Sequence, residues 1–190
     1  MYVDRPRVLL VDDEKEVADA YALRIEAVAD VTVTYGGAEA LSAIDESEPP
    51  DVVLLDRHMP ERSGDEVLEE LREYDMRTRV VMVTAIDPGL ELLELPFDDY
   101  LCKPVEKRDL VGAIEQQLTA TKYDERLTEY LEVTSKLGLL EAEKTAAELD
   151  GSEDVDRLRE RAAELKADLD ETLAEFDDAT AAFQEIDRDP

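Results

Sequence analysis

Four short apolar runs, each ending on a different kind of polar residue, restrict what this chain can become more than any other feature. Arg7-Val-Leu-Leu-Val-Asp-Asp13 ends on two aspartates and Asp51-Val-Val-Leu-Leu-Asp56 on one. Arg79-Val-Val-Met-Val-Thr84 ends on a hydroxyl, and Asp99-Tyr-Leu-Cys-Lys-Pro104 on an amine followed by proline. Val- and Leu-rich runs without alternation read as strands covered on both faces. As neighbours in a parallel sheet, their C-terminal ends would meet where open α/β sheets bind ligands. That pocket would hold three carboxylates, a hydroxyl and an ammonium. One chemistry that needs this set is metal-assisted transfer of a phosphoryl group onto a carboxylate.

The surrounding pattern supports such a sheet. Strand-like segments at 7–11, 30–34, 51–55, 79–83 and 97–102 alternate with helical ones at 14–28, 37–47, 64–74, near 88–94, and 106–121. Pro49-Pro50, Met59-Pro60 and Asp87-Pro88-Gly89 supply the breaks. Five βα units predict a doubly wound parallel sheet in the order 2-1-3-4-5, the flavodoxin-like arrangement, over residues 1–121.

From 122 to 190 the character changes. Proline is absent from 122–187, and no strand-like run appears there. Val155, Leu158, Ala162, Leu165, Leu169, Thr172, Phe176, Ala179, Phe183 and Ile186 step alternately by three and four residues, which is the seam of a coiled coil. Tyr123, Leu127, Tyr130, Thr134 and Leu137 form a less regular first stripe that drifts to Leu140 and Ala147. Asp150-Gly151-Ser152-Glu153-Asp154 reads as a turn, with Ser152 or Asp154 as a helix cap. Two arms around one turn predict an α-helical coiled-coil hairpin; the other reading is one long helix interrupted by a loop. Nothing in Thr119-Ala-Thr-Lys122 breaks a helix, so segment 106–121 can run directly into the first arm.

Charge bears on partners. The chain carries 51 acidic and 21 basic residues, a net charge of −30, and the excess runs through both regions. A uniformly acidic surface suits a salty cytoplasm, where molar salt shortens the screening length to about 3 Å. The plainer alternative is an acidic protein with no such adaptation. Neither region offers the basic face that nucleic-acid binding requires. Arg157, Arg159 and Arg161 form the one basic cluster, flanked by Asp154, Asp156, Glu160 and Glu164. No membrane span or signal peptide is read, and the single cysteine, Cys102, fits a reducing, cytoplasmic location.

The first region resembles the receiver domain of two-component response regulators. Asp12-Asp13, Leu55-Asp56-Arg-His-Met-Pro60, Ser63-Gly64, Thr84-Ala85 and Asp99-Tyr100-Leu-Cys-Lys103-Pro104 carry the likeness, in order and at strand ends. The resemblance implies that Asp56 accepts a phosphoryl group from a histidine kinase. It implies Mg²⁺ as cofactor, held by Asp12, Asp13, Asp56 and the backbone carbonyl of Arg57. Asp12 and Asp13 also stand where helix N-capping could explain them. Thr84 and Lys103 would contact phosphoryl oxygens, with the Lys103–Pro104 bond cis. Tyr100 would be the aromatic that moves with Thr84, or else a static half-buried ring. His58 either tunes the lifetime of the phosphoryl group or is a solvated loop residue. Such a protein is a phosphoacceptor and not a turnover enzyme, apart from its own phosphorylation and dephosphorylation.

The likeness departs from the pattern between Thr84 and Lys103, where about three residues are missing and Pro96-Phe97 replaces a Gly-Ala pair. The helix there should be about one turn short.

Residues 122–187 resemble the HalX domain that follows receivers in haloarchaeal regulators. Tyr123-Asp-Glu-Arg-Leu127, Leu140-Glu-Ala-Glu-Lys144 and Phe183-Gln-Glu-Ile186 carry this likeness. Two outputs follow: a hairpin that docks an unidentified protein partner or pairs with a second copy through the coiled coil, or a transcription regulator that contacts DNA directly. The charge favours the first.

Overall fold

A computed structural model of the chain describes residues 5–46, 48–73, 77–85, 94–149 and 151–183; the side chains of 146–147 and 175–183 are outside that description. The described residues divide into two compact units, one reaching to Leu118 and one beginning at Thr119.

The first unit is built on five parallel strands: β1 (Arg7–Val11), β2 (Asp30–Thr34), β3 (Val52–Leu55), β4 (Arg79–Thr84) and β5 (Asp99–Cys102). Their order is β2-β1-β3-β4-β5, as the sequence predicts. The helices are α1 (Lys15–Ile25), α2 (Gly37–Glu46), α3 (Gly64–Glu73) and the start of α4 (Lys107–Glu143). The short helix expected near 88–94 lies outside the described residues.

Strand periodicity separates the core into two layers. Leu9, Val11, Val53, Leu55, Val80 and Met82 pack with Ala40, Leu41 and Ile44 of α2 and Val67, Leu68 and Leu71 of α3. Their neighbours Val8, Leu10, Val52, Leu54, Val81 and Val83 pack with Tyr21 and Ile25 of α1 and Leu110 and Ile114 of α4. Both faces of the inner strands β1, β3 and β4 are therefore covered, and the polar groups of these strands lie at their ends. Leu95 and Phe97 pack against the α2–α3 layer, so the Pro96-Phe97 departure falls at a core contact.

In the second unit, α4 continues without interruption to Glu143 and is followed by a four-residue helix, α5 (Ala146–Leu149), and by α6 (Glu153–Phe183). Gly151, at φ +82°, sits in the turn before α6, a conformation that glycine takes without steric cost. Every described seam position of α6 is covered: Val155, Leu165, Leu169 and Thr172 are buried, and Leu158 and Ala162 are half-buried. The partner helix is in the same chain. Arg126 donates to Thr172 Oγ1 at 3.3 Å, Arg161 pairs with Glu129 at 2.7 Å, and Arg159 approaches Glu141 at 3.7 Å. As the α4 number rises from 126 to 141, the α6 number falls from 172 to 159, so the arms are antiparallel and form a hairpin. Val133, absent from the expected stripe, is the buried position of the described α4 arm. The side chains of Ala147, Phe176, Ala179, Phe183 and Ile186 lie outside the described residues.

Candidate functional site

The C-terminal ends of β1, β3, β4 and β5 bring together the residues that the sequence analysis picked out. Asp12 and Asp56 directly follow β1 and β3, where Asp56 N–H donates to Val11 O at 2.8 Å and Asp12 N–H to Thr34 O at 3.2 Å. Both side chains are almost wholly buried, Asp13 is half-buried, and Thr84, closing β4, is buried. Ligand oxygens of Asp12, Asp13 and Asp56 lie within 4.8 Å of one another. Lys103 follows β5, with its N–H on Thr84 O at 2.7 Å. Its ammonium lies 2.7 Å from Asp12 Oδ2 and 3.4 Å from Asp56 Oδ1. The Lys103–Pro104 peptide is cis, as expected.

The electrostatics follow from this crowding. Burial raises the Asp56 carboxyl above its ordinary range; the Lys103 charge opposes the shift and the Asp12 charge adds to it. For Lys103, burial pushes downward, but the Asp12 hydrogen bond and the charges of Asp56 and Asp12 outweigh it, so the ammonium is held above its usual value. Three close carboxylates with one ammonium leave an excess of hard oxygen donors, partly open through Asp13. Mg²⁺ takes such donors and keeps several waters, so the residues fit that ion.

Asp12 does accept the N–H of Glu14, at 3.0 Å, but Glu14 is the N-cap of α1, and no side-chain cap bond is made there. Asp12 thus shapes the turn ahead of the helix through Oδ1, while its Oδ2 meets Lys103. His58 is exposed. Tyr100 is buried, its hydroxyl 2.8 Å from Cys102 Sγ.

Several contacts escaped the sequence reading. The Arg57 carbonyl, expected at the metal, accepts Gly64 N–H at 2.9 Å. A Cβ on Gly64 would overlap the Asp56 carbonyl oxygen and come within 2.9 Å of Arg57 Cα, so α3 starts directly against the peptide of the acceptor candidate. Ser63 and Glu66 form a reciprocal capping box there, with Ser63 N–H on Glu66 Oε2 at 2.8 Å and Glu66 N–H on Ser63 Oγ at 3.3 Å. Its signal, Ser-x-x-Glu, was present in the sequence. The Arg57 side chain reaches Asp65, with Nε 3.1 Å from Oδ1. Behind Lys103, Tyr21 Oη accepts Val105 N–H at 3.0 Å, and Arg24 donates to Val105 O. No local sequence rule connects residues that are 84 positions apart.

The comparisons with known proteins agree with this geometry. Residues 8–115 match the response regulator receiver domain and residues 119–187 the HalX domain. A Haloferax volcanii protein described as a candidate transcriptional regulator is 41% identical over 176 residues, covering 90% of this chain and 28% of that protein. The transcriptional regulatory protein CutR of Streptomyces coelicolor is 45% identical over 113 residues, covering 57% of this chain and 51% of CutR. The chain thus spans about half or less of the length of these curated relatives. Among solved structures, the Francisella response regulator 1452 receiver domain is similar at 32% identity and a TM-score of 0.57, covering 62% of this chain and 99% of that one. A CheY-like receiver domain protein from Methanospirillum hungatei aligns at 29% identity and a TM-score of 0.59, covering 63% and 98%. Among the described residues, no helix is long and apolar enough to cross a membrane. Receiver domains bind Mg²⁺ through acidic residues and interact with histidine kinases, and this chain belongs to their family, a response regulator whose receiver domain is followed by a HalX domain.

Proposed function

We propose that Asp56 accepts a phosphoryl group from a histidine kinase and that the modified receiver changes what the helical hairpin binds. The observation that carries this reading is the placement of Lys103, 2.7 Å from Asp12 and 3.4 Å from Asp56, at the mouth of a three-carboxylate cluster. Asp12, Asp13 and Asp56 would hold Mg²⁺, together with the backbone carbonyl of Arg57. When bound, the metal neutralises charge between the carboxylates and the incoming phosphoryl group.

The chain's own residues account for the rest. An Asp56 oxygen attacks phosphorus, the P–N bond to the kinase's phosphohistidine breaks with the imidazole as leaving group, and an acyl phosphate remains on Asp56. Lys103 neutralises one equatorial oxygen and Thr84 donates to another, which is most of what phosphoryl transfer asks of a protein. Burial keeps bulk water away from the acyl phosphate. Thr84 engagement would move Tyr100, and exposed His58 would meet the hydrolytic water. The protein turns over only its own phosphoryl group.

Output through a protein partner, or through a second copy, is the reading that the hairpin supports. Arg157 pairs with Glu153 and Asp154, Arg159 with Glu141 and Asp156, and Arg161 with Glu129 and Glu164. The basic cluster that direct DNA contact would need is thus surrounded by the hairpin's own acids, which offset its charge. The relatives are named as transcriptional regulators, which fits transcriptional control as the output. The test is incubation with acetyl phosphate and Mg²⁺ at molar salt: the parent gains one base-labile phosphoryl group and Asp56→Asn gains none. Equal labelling of the variant contradicts the assignment.

A further inference from the structure

The loop between β3 and α3 leaves the sheet at Asp56 and returns at Gly64, and three successive links close it. Gly64 lies against the Asp56 peptide with no room for a Cβ. Gly64 N–H donates to Arg57 O at 2.9 Å. One residue further along α3, Asp65 meets the Arg57 guanidinium, with Nε 3.1 and 3.2 Å from its two oxygens and Nη2 3.2 Å from Oδ2. These side chains are 14% and 30% exposed, so the pair is shielded more than an ordinary surface ion pair. Between the anchors lie exposed His58 and Glu61, the latter at φ +65°, a conformation costing a non-glycine residue roughly 1–2 kcal/mol. A loop holding an unfavourable backbone angle needs firm ends, and the end at Asp56 is the one that carries chemistry.

We infer that Arg57 and Asp65 are positioning residues for the Asp56 carboxylate, their ion pair fixing the backbone from which the acceptor projects. This rests on the reading of Asp56 as phosphoacceptor. Asp56 must present an oxygen in line with the bond that breaks while keeping its place beside Lys103, and a displacement of about 1 Å in such a group costs up to a hundredfold in rate. Asp65 lies in the first turn of α3, where the helix dipole already favours a carboxylate, so the brace joins the loop to a rigid element. Arg57 does not touch the transferred group in this account. It acts through Asp65 and the peptide that it shares with Asp56.

The test measures phosphorylation of the full chain by acetyl phosphate over a range of donor concentrations, at saturating Mg²⁺ and molar salt. Parent, Arg57→Ala, Asp65→Ala, the double variant and Arg57→Lys are compared, each with its urea midpoint. The brace predicts that either single alanine lowers the maximal rate about tenfold while leaving the half-saturating donor concentration unchanged. The double variant is then no slower than either single one, because both act through one link. Arg57→Lys recovers part of the rate. The proposal is overturned if Asp65→Ala matches the parent, if the two losses multiply, or if Arg57→Ala changes only half-saturation, which would mean that the arginine attracts the donor by charge. It is equally overturned if urea midpoints fall and rates do not. A parent that takes no phosphoryl group defeats the acceptor reading as well, whereas a labelled parent with unaffected variants defeats the brace alone.

Discussion

The two units of this chain solve the same problem with different resources. The receiver unit covers both faces of its sheet, so the inner strands β1, β3 and β4 are apolar between their ends and the polar chemistry gathers where they stop. The hairpin unit has two helices with one seam between them, and it leaves Leu131, Leu139 and Leu173 exposed. Its arms are also joined by ion pairs, Arg161–Glu129 at 2.7 Å and Arg126–Asp168 at 3.6 Å. Such pairs on exposed helices each contribute little, and salt screens them. Burial thus dominates the first unit, while the second combines a narrow seam with many weak contacts.

Core truncation gives the largest expected effect. Leu54 is buried between the sheet and the α1–α4 layer, and Leu54→Ala should cost about 3–5 kcal/mol. Leu165, at 0% exposure, is the best-covered seam position, and Leu165→Ala should cost about 2–4 kcal/mol, while exposed Glu164→Ala should stay within about 0.5. Urea unfolding read by far-UV circular dichroism measures all three. A Leu165→Ala protein as stable as the parent would break the claim that the hairpin has a core of its own.

A smaller loss is expected at Gly64. A side chain there must displace the Asp56 peptide, so Gly64→Ala should cost about 1–3 kcal/mol and slow phosphorylation as well. A destabilised variant that labels at the parental rate would separate loop packing from acceptor geometry.

The smallest effect has the opposite sign. Because burial raises the Asp56 carboxyl, the folded chain holds that proton more tightly than the unfolded chain. The group therefore favours folding at low pH, and this contribution is lost as pH rises from the unfolded value of about 3.9 through the raised folded value. At neutral pH and without metal, the ionised Asp56 works against folding. Asp56→Asn should then raise the urea midpoint at pH 7 in EDTA, and the gain should shrink as the pH falls toward 3. Saturating Mg²⁺ should stabilise the parent and reduce the difference. A variant less stable than the parent at pH 7 would contradict this electrostatic account.

What the sequence made legible follows the same division. Strand order and the pocket set from Asp12 to Lys103 could be read because Val- and Leu-rich runs end on those residues, and the continuity of α4 because Thr119-Ala-Thr-Lys122 holds no helix breaker. The α6 seam could be read because its spacing is periodic. Val133 was missed because both it and Thr134 face inward on the first arm, and the stripe was drawn through the latter. The Arg57–Asp65 pair and the Tyr21 contact to Val105 join positions 8 and 84 residues apart, and such contacts arise only when packing brings the segments together.

The central claim is that Asp56 carries the phosphoryl group, and locating that group tests it most directly. The full chain is phosphorylated with acetyl phosphate and Mg²⁺ at molar salt, then reduced with borohydride, which converts an acyl phosphate of aspartate to homoserine. The peptide spanning Asp56 is then sequenced by mass spectrometry. The account predicts homoserine at position 56 and intact aspartate at Asp12 and Asp13, with no conversion when Mg²⁺ is withheld. Conversion at Asp12 or Asp13, or a phosphoryl group that survives base on another residue, would contradict it.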